Sequence, residues 1–116
     1  MQVLCYSKCS TCQKALKWLD AQGVAYDLRD IKTENPGEAE LRAWHAKSGL
    51  PLKRFFNTSG LQYRALALKD RLPAMSEQEQ YALLASDGML VKRPLLIDGD
   101  TVLVGFRQPE WERHLL

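Results

Sequence analysis

Val3-Leu4-Cys5-Tyr6-Ser7-Lys8-Cys9-Ser10-Thr11-Cys12 carries two signals that together set the architecture. Its first four residues are a short, continuous apolar run, as in a strand buried on both faces. Ser7 to Thr11 is polar and reads as a loop. A helix is expected next, over about Thr11–Gln22, with Ala15, Leu16 and Leu19 on one face and Gly23 as its C-terminal stop. Tyr26 and Leu28, with Ile31 a little out of phase, predict a second strand over about Ala25–Asp30. Strand, helix and strand within about thirty residues make one βαβ unit, whose crossover is nearly always right-handed.

Further along, Asn35 is an expected N-cap, with Pro36 at the first helical position and Glu38 completing a capping box. Leu41, Trp44 and Ser48 mark one face of that helix, and Gly49-Leu50-Pro51 ends it. Short helical pieces are expected around Pro51–Phe56 and Leu61–Lys69, split by Asn57-Thr58-Ser59-Gly60. Ser76 and Glu79 form a second capping box, opening a helix through Tyr81, Leu84 and Ala85 that stops at Gly88. Leu95-Leu96-Ile97, Asp98-Gly99-Asp100 and Thr101-Val102-Leu103-Val104 predict a hairpin, because Asp-Gly supplies the positive φ of a tight turn. Pro109 starts a last helix with Trp111 and Leu115. The order β-α-β, helical stretch, β-β-α predicts an α/β protein with a four-stranded mixed sheet. That layout resembles a thioredoxin-like fold with a helical insertion between its halves. Pro94 follows Lys92-Arg93 just before the third strand, where the resemblance implies a cis peptide.

The chain has 116 residues, 46% of them hydrophobic and 26% charged, which predicts a single domain over 1–116. Its net charge of +2 and pI near 8.5 give no basic footprint for direct nucleic-acid binding. No apolar run approaches the roughly 20 residues of a membrane span, and Met1 to Ser10 does not read as a signal peptide. All three cysteines, Cys5, Cys9 and Cys12, lie near the N-terminus. A secreted disulfide framework would spread an even number across the chain, so the expected compartment is the cytoplasm.

Cys9-Ser10-Thr11-Cys12 could close only a small ring, which would add little stability and is better read as chemistry. At a helix start, free N–H groups and the macrodipole favour thiolate over thiol, and Lys8 and Lys14 add positive potential. Cys9, in the loop, is the expected nucleophile, and Cys12, just inside the helix, is placed to resolve a mixed disulfide at Cys9. Half of a zinc site is the competing reading. It would need two more ligands, and His45 and His114 stand isolated with no second Cys-x-x-Cys. No metal or bound cofactor is implied. Cys5, in the first strand, reads as a small core residue.

Three motifs in order, Tyr6-Ser7-Lys8-Cys9-Ser10-Thr11-Cys12-Gln13-Lys14-Ala15, Lys92-Arg93-Pro94-Leu95-Leu96-Ile97-Asp98 and Val104-Gly105-Phe106, make the whole chain resemble the arsenate reductase family. Within it, the chain is similar to the Cys-x-x-Cys branch that includes Spx-type redox regulators. The resemblance implies Cys9 as the catalytic cysteine, with Cys12 as its disulfide partner. It also implies Arg93 as an oxyanion- or thiolate-holding guanidinium and Pro94 as the residue shaping the substrate groove. A further family arginine falls near Arg107. Another belongs at about Asn57-Thr58-Ser59, where this chain has none; Arg54 and Arg64 only flank the gap. Glutaredoxin-dependent members lack the second cysteine that Cys12 supplies. The expected function is thiol–disulfide chemistry by a monomer, served by a cellular thiol reductant such as glutathione with glutaredoxin, or thioredoxin. The alternatives are an Spx-like regulator that docks on the RNA polymerase α subunit and a genuine arsenate reductase. The weak basic balance favours the enzyme.

Overall fold

A computed structural model describes residues 1–116. β1 (Gln2–Cys5), α1 (Ser10–Ala21) and β2 (Asp27–Asp30) form the βαβ unit, with the two strands parallel. β3 (Leu95–Asp98) and β4 (Thr101–Val104) form the hairpin, and β3 also pairs antiparallel to β1. The sheet order is β2-β1-β3-β4. Gly99, at φ 57°, takes the first of the two loop positions between β3 and β4.

The central strands β1 and β3 are covered on both sides, which is why their sequences run apolar without alternation. Successive residues divide between the faces. Val3, Cys5 and Leu96 pack with Cys12, Ala15 and Leu19 of α1 and with Trp111 of α6 (Gln108–Leu115). Leu4, Leu95, Ile97, Val102 and Val104 turn the other way. They meet Leu41 and Trp44 of α2 (Glu38–Ser48), Tyr81 and Leu84 of α5 (Glu77–Ser86), and the insertion. Each fully buried large aliphatic side chain here contributes about 1.5–3 kcal/mol of transfer free energy.

Several boundaries differ from expectation for local reasons. β2 begins at Asp27 rather than Ala25, because parallel pairing starts at Gln2 and Asp27, while the Tyr26 hydroxyl turns away to donate to Asp20 Oδ1 at 2.9 Å. α2 begins at Glu38, with Gly37 rather than Asn35 as N-cap, and Glu40 accepts the Gly37 N–H at 3.2 Å. The Asn35 side chain instead donates to the Ala85 carbonyl at 2.7 Å, tying this connection to α5. The expected piece over Leu61–Lys69 breaks into α3 (Leu61–Ala65) and α4 (Leu68–Arg71). Ala67 separates them at φ 52°, and Tyr63, Leu68 and Leu72 are the buried side chains. The Ser76–Glu79 capping box is present, with bonds of 3.1 and 3.0 Å.

The insertion is stitched to the chain ahead of β3. Phe56 bridges Val91, Lys92 N donates to Phe55 O at 2.8 Å, and Asn57 N donates to Leu90 O at 2.8 Å. These bonds set residues 57–62 beside the Arg93–Pro94 peptide, which is cis. No helix is long and apolar enough to cross a membrane.

Candidate active site

The loop from β1 to α1 is closed by its own backbone. Cys9 N donates to Tyr6 O at 3.0 Å, and the Gln13 side chain donates to Ser7 O at 2.9 Å. Cys9 is the N-cap, extended at φ −89° and ψ 118°, and its carbonyl accepts the Gln13 N–H at 3.1 Å. The helix thus starts one residue earlier than the sequence predicts, and Cys12 is its third residue. The Cys9 side chain makes no capping bond, and the first turn holds no acidic residue. The first-turn amide dipoles are therefore available to a sulfur anion at Cys9.

Cys9 is partly exposed in a cavity of about 600 Å³. Lys8, Ser10 and Thr11 come from the same loop and helix start. Asn57, Ser59, Gly60 and Gln62 line it from the insertion, and Lys92 and Arg93 from the chain ahead of β3. Three cations and no carboxylate line this space. Arg93 Nη1 donates to the carbonyls of Met89 and Val91 at 3.2 and 3.3 Å. Its guanidinium lies 5.5 Å from the centroid of the Tyr6 ring, and its buried Nε has no partner. An unpaired buried donor on a cation is costly unless a ligand or water meets it.

Cys12 lies behind Cys9, only 1% exposed. It packs in one buried cluster with Cys5, and Cys9 packs against that cluster. The Cys5 contact and then burial push the Cys12 thiol far up, against smaller opposing contributions from the Tyr6 backbone and Cys9. Cys12 is thus protonated at neutral pH, as a resolving thiol would be before its target forms. No three His, Cys, Asp or Glu side chains converge as a metal site requires.

Among the other sequence candidates, Pro94 is buried outside the cavity lining, where its carbonyl accepts the Gly105 N–H at 2.8 Å. Arg107 is also outside it, exposed as the N-cap of α6 with Nη1 3.7 Å from Glu110 Oε1. Arg64 donates to Ser59 O at 3.0 Å, and Arg54 lines a neighbouring cavity of about 260 Å³. Neither lines the cavity that holds Cys9. Lys92, Gln62 and Leu61, the last 81% exposed, also line the site without standing out as functional in the sequence. The position of Lys92 beside Arg93 was the available signal. Gln62 and Leu61 had none, since only the pairing of Phe56 with Val91 brings them here.

A family model described as the ArsC family matches residues 4–114. An uncharacterized Bacillus subtilis protein, YusI, is 53% identical over 109 residues, spanning 94% of this chain and 92% of its own. The crystal structure of an ArsC family related protein from Bacteroides fragilis matches with a TM-score of 0.94 at 54% identity, covering 97% of this chain and 94% of that one. A Streptococcus mutans structure described as a possible arsenate reductase matches at 46% identity and a TM-score of 0.88, with 96% of each chain covered. More distant relatives carry the name global transcriptional regulator Spx. With the family match spanning almost every residue and the thioredoxin-like architecture shared by these structures, the chain belongs to the ArsC family.

Proposed function

We propose that the protein is a thiol–disulfide oxidoreductase in which Cys9 attacks and Cys12 resolves. The observation that carries this reading is the Cys9 thiol itself. It sits uncommitted at a helix start, in a cavity lined by Lys8, Lys92 and Arg93, with a protonated thiol behind it. The Cys9 thiolate attacks one sulfur of a substrate disulfide; that S–S bond breaks and one substrate thiolate leaves. Cys12 then attacks Cys9 Sγ, giving up its proton to the departing second substrate thiolate. The product is a Cys9–Cys12 disulfide, which a cellular thiol reductant of the glutathione–glutaredoxin or thioredoxin kind returns to the dithiol. Arg93 and Lys92 stabilise the thiolates that form and leave.

Arsenate fits this cavity less well. The wall at 57–59 offers the amide of Asn57 and the hydroxyl of Ser59 but no guanidinium fork, and lysines meet an oxyanion only as point charges. The relatives named as regulators favour a second reading, in which the same disulfide switches docking on the RNA polymerase α subunit.

Single-turnover reduction of a protein disulfide such as insulin by the pre-reduced protein, freed of other thiols, tests the proposal. The wild type is expected to reduce it, and Cys9→Ser to be inactive. Arg93→Ala should lose roughly ten- to a hundredfold, as for a charge-assisted hydrogen bond of about 1.5–3 kcal/mol. Arsenate reduction with glutathione and glutaredoxin should be weak and gain from Asn57→Arg. No disulfide reduction, together with redox-dependent capture of polymerase α subunit, would replace the enzyme by the switch.

A further inference from the structure

Cys5 has no part in the mechanism above, yet it is not packed among inert neighbours. It ends β1 with 4% exposure and shares a buried cluster with Cys12, Ala15 and Leu19. Cys12 packs with Cys5 inside that cluster, and Cys9 packs against the cluster from its partly exposed edge. Two separate cavities reach these three cysteines. The one described above is lined by Cys9 but by neither Cys5 nor Cys12. A second, of about 430 Å³, is lined by Cys5 and Cys12 but not by Cys9, together with Leu16, Leu28, Asp30 and Glu34. A structural core cysteine needs neither a thiol partner nor a cavity of its own.

We propose that Cys5 is a third redox residue, which takes the disulfide from Cys9–Cys12 to form Cys5–Cys12 and returns Cys9 to the thiolate. This rests on the oxidoreductase reading, because the substrate disulfide supplies the oxidising equivalents. In the step, Cys5 Sγ attacks Cys12 Sγ, the Cys5–Cys12 bond forms, and the Cys9–Cys12 bond breaks. The electron pair of the broken bond leaves with Cys9, and the Cys5 proton leaves to solvent through the second cavity. One disulfide and one thiol are present before and after, so no further oxidant is needed. Two features favour the transfer. The departing Cys9 thiolate lands at the N-terminus of α1, where the amide dipoles stabilise it. The new disulfide is uncharged and sits in an apolar cluster, which avoids burying a charge. The consequence is a division of labour: Cys9 is free for the next substrate at the first cavity, while the oxidised pair is open to a reductant at the second.

Tryptic mapping reads the outcome directly, since Lys8 and Lys14 place Cys5 on one peptide and Cys9 with Cys12 on another. The reduced protein is oxidised with one equivalent of glutathione disulfide, alkylated at acidic pH to stop exchange, and digested. The expected product is a disulfide-linked pair of the two peptides with the alkyl group on Cys9. It should amount to at least about a tenth of oxidised chains, a gap of no more than about 1.4 kcal/mol between the two disulfides. Cys9→Ser is expected to form the Cys5–Cys12 link directly with diamide, and Cys5→Ser to hold only the Cys9–Cys12 bridge. Finding Cys9–Cys12 in both wild type and Cys5→Ser, with no linked pair in wild type or Cys9→Ser, would overturn the role of Cys5 and leave the oxidoreductase standing. Absence of any bridge in Cys5→Ser would instead remove the underlying reading, and this inference with it.

Discussion

Cys9 and Cys12 stand three residues apart on the same helix start, in different surroundings, as the proposed division between attack and resolution requires. Cys9 opens to a cationic cavity, whereas Cys12 is enclosed and held protonated by Cys5 and by burial. Thiolate content and access together set alkylation rates. With limiting iodoacetamide on the native reduced protein, nearly all label is expected at Cys9, with Cys5 and Cys12 reacting far more slowly. Label arriving first at Cys12 would contradict the assignment. At this scale the sequence was informative about Cys9, Cys12 and Arg93, because a strand, a tight loop and a helix start are local features. It was uninformative about the packing of Cys5 with Cys12, which depends on how α1 lies over the sheet, and Arg107 stands at the start of α6, outside the cavity that holds Cys9.

Between elements, two contacts hold the frame around the site. Gly88 opens the turn at Gly88–Leu90 that leads into the Arg93 segment, and a Cβ there would lie 1.8 Å from Ile31 O. Ile31 is itself tied to the sheet, its N–H donating to Cys5 O at 2.9 Å. Gly88→Ala must therefore move backbone, and is expected to cost about 1–3 kcal/mol or more in urea unfolding. Because the Met89 and Val91 carbonyls hold Arg93, disulfide turnover should fall as well. Unchanged stability would mean that the turn does not approach Ile31 this closely. The glycine was legible in the sequence as a stop signal, but the close approach that requires it was not, since Ile31 lies far away along the chain.

The second contact joins β2 to α2, where Arg29 donates to the two oxygens of Glu40 at 2.8 and 2.9 Å and to Glu34 O at 2.8 Å. The Arg29 guanidinium, with the Gly37 N–H, holds the Glu40 carboxyl below its usual range. A carboxylate depressed by folding adds stability that is complete above its unfolded pKa and is lost as pH falls through the folded one. The Glu40 side chain is 41% exposed, so solvent screens the pair. Glu40→Gln is expected to cost only about 0.5–1 kcal/mol at pH 7. That deficit should close as pH falls through the depressed folded-state titration, where the wild-type carboxyl is protonated too. A deficit that stays constant with pH, in parallel unfolding curves, would assign the loss to packing rather than to charge.

The whole molecule assembles its site from three parts of the chain. The βαβ unit supplies Cys9 and Cys12, the segment before the hairpin supplies Lys92 and Arg93, and the insertion supplies the facing wall from Asn57 to Gln62. The first two parts were readable because apolar strands and an Asp-Gly turn specify a mixed sheet whose central strands lie side by side. The wall was not, because the insertion consists of short helical turns whose place is set by Phe56 meeting Val91 and by the break at Ala67. All of these parts serve one claim, that Cys9 attacks in this cavity and Cys12 resolves. The most direct measurement is the intact and peptide mass of Cys12→Ser and wild type after exposure to glutathione disulfide. The variant should accumulate a stable glutathionyl adduct on Cys9, while the wild type keeps no adduct and loses two thiols. An adduct on Cys5 in the variant, or a variant that sheds its adduct as fast as the wild type, would contradict the claim.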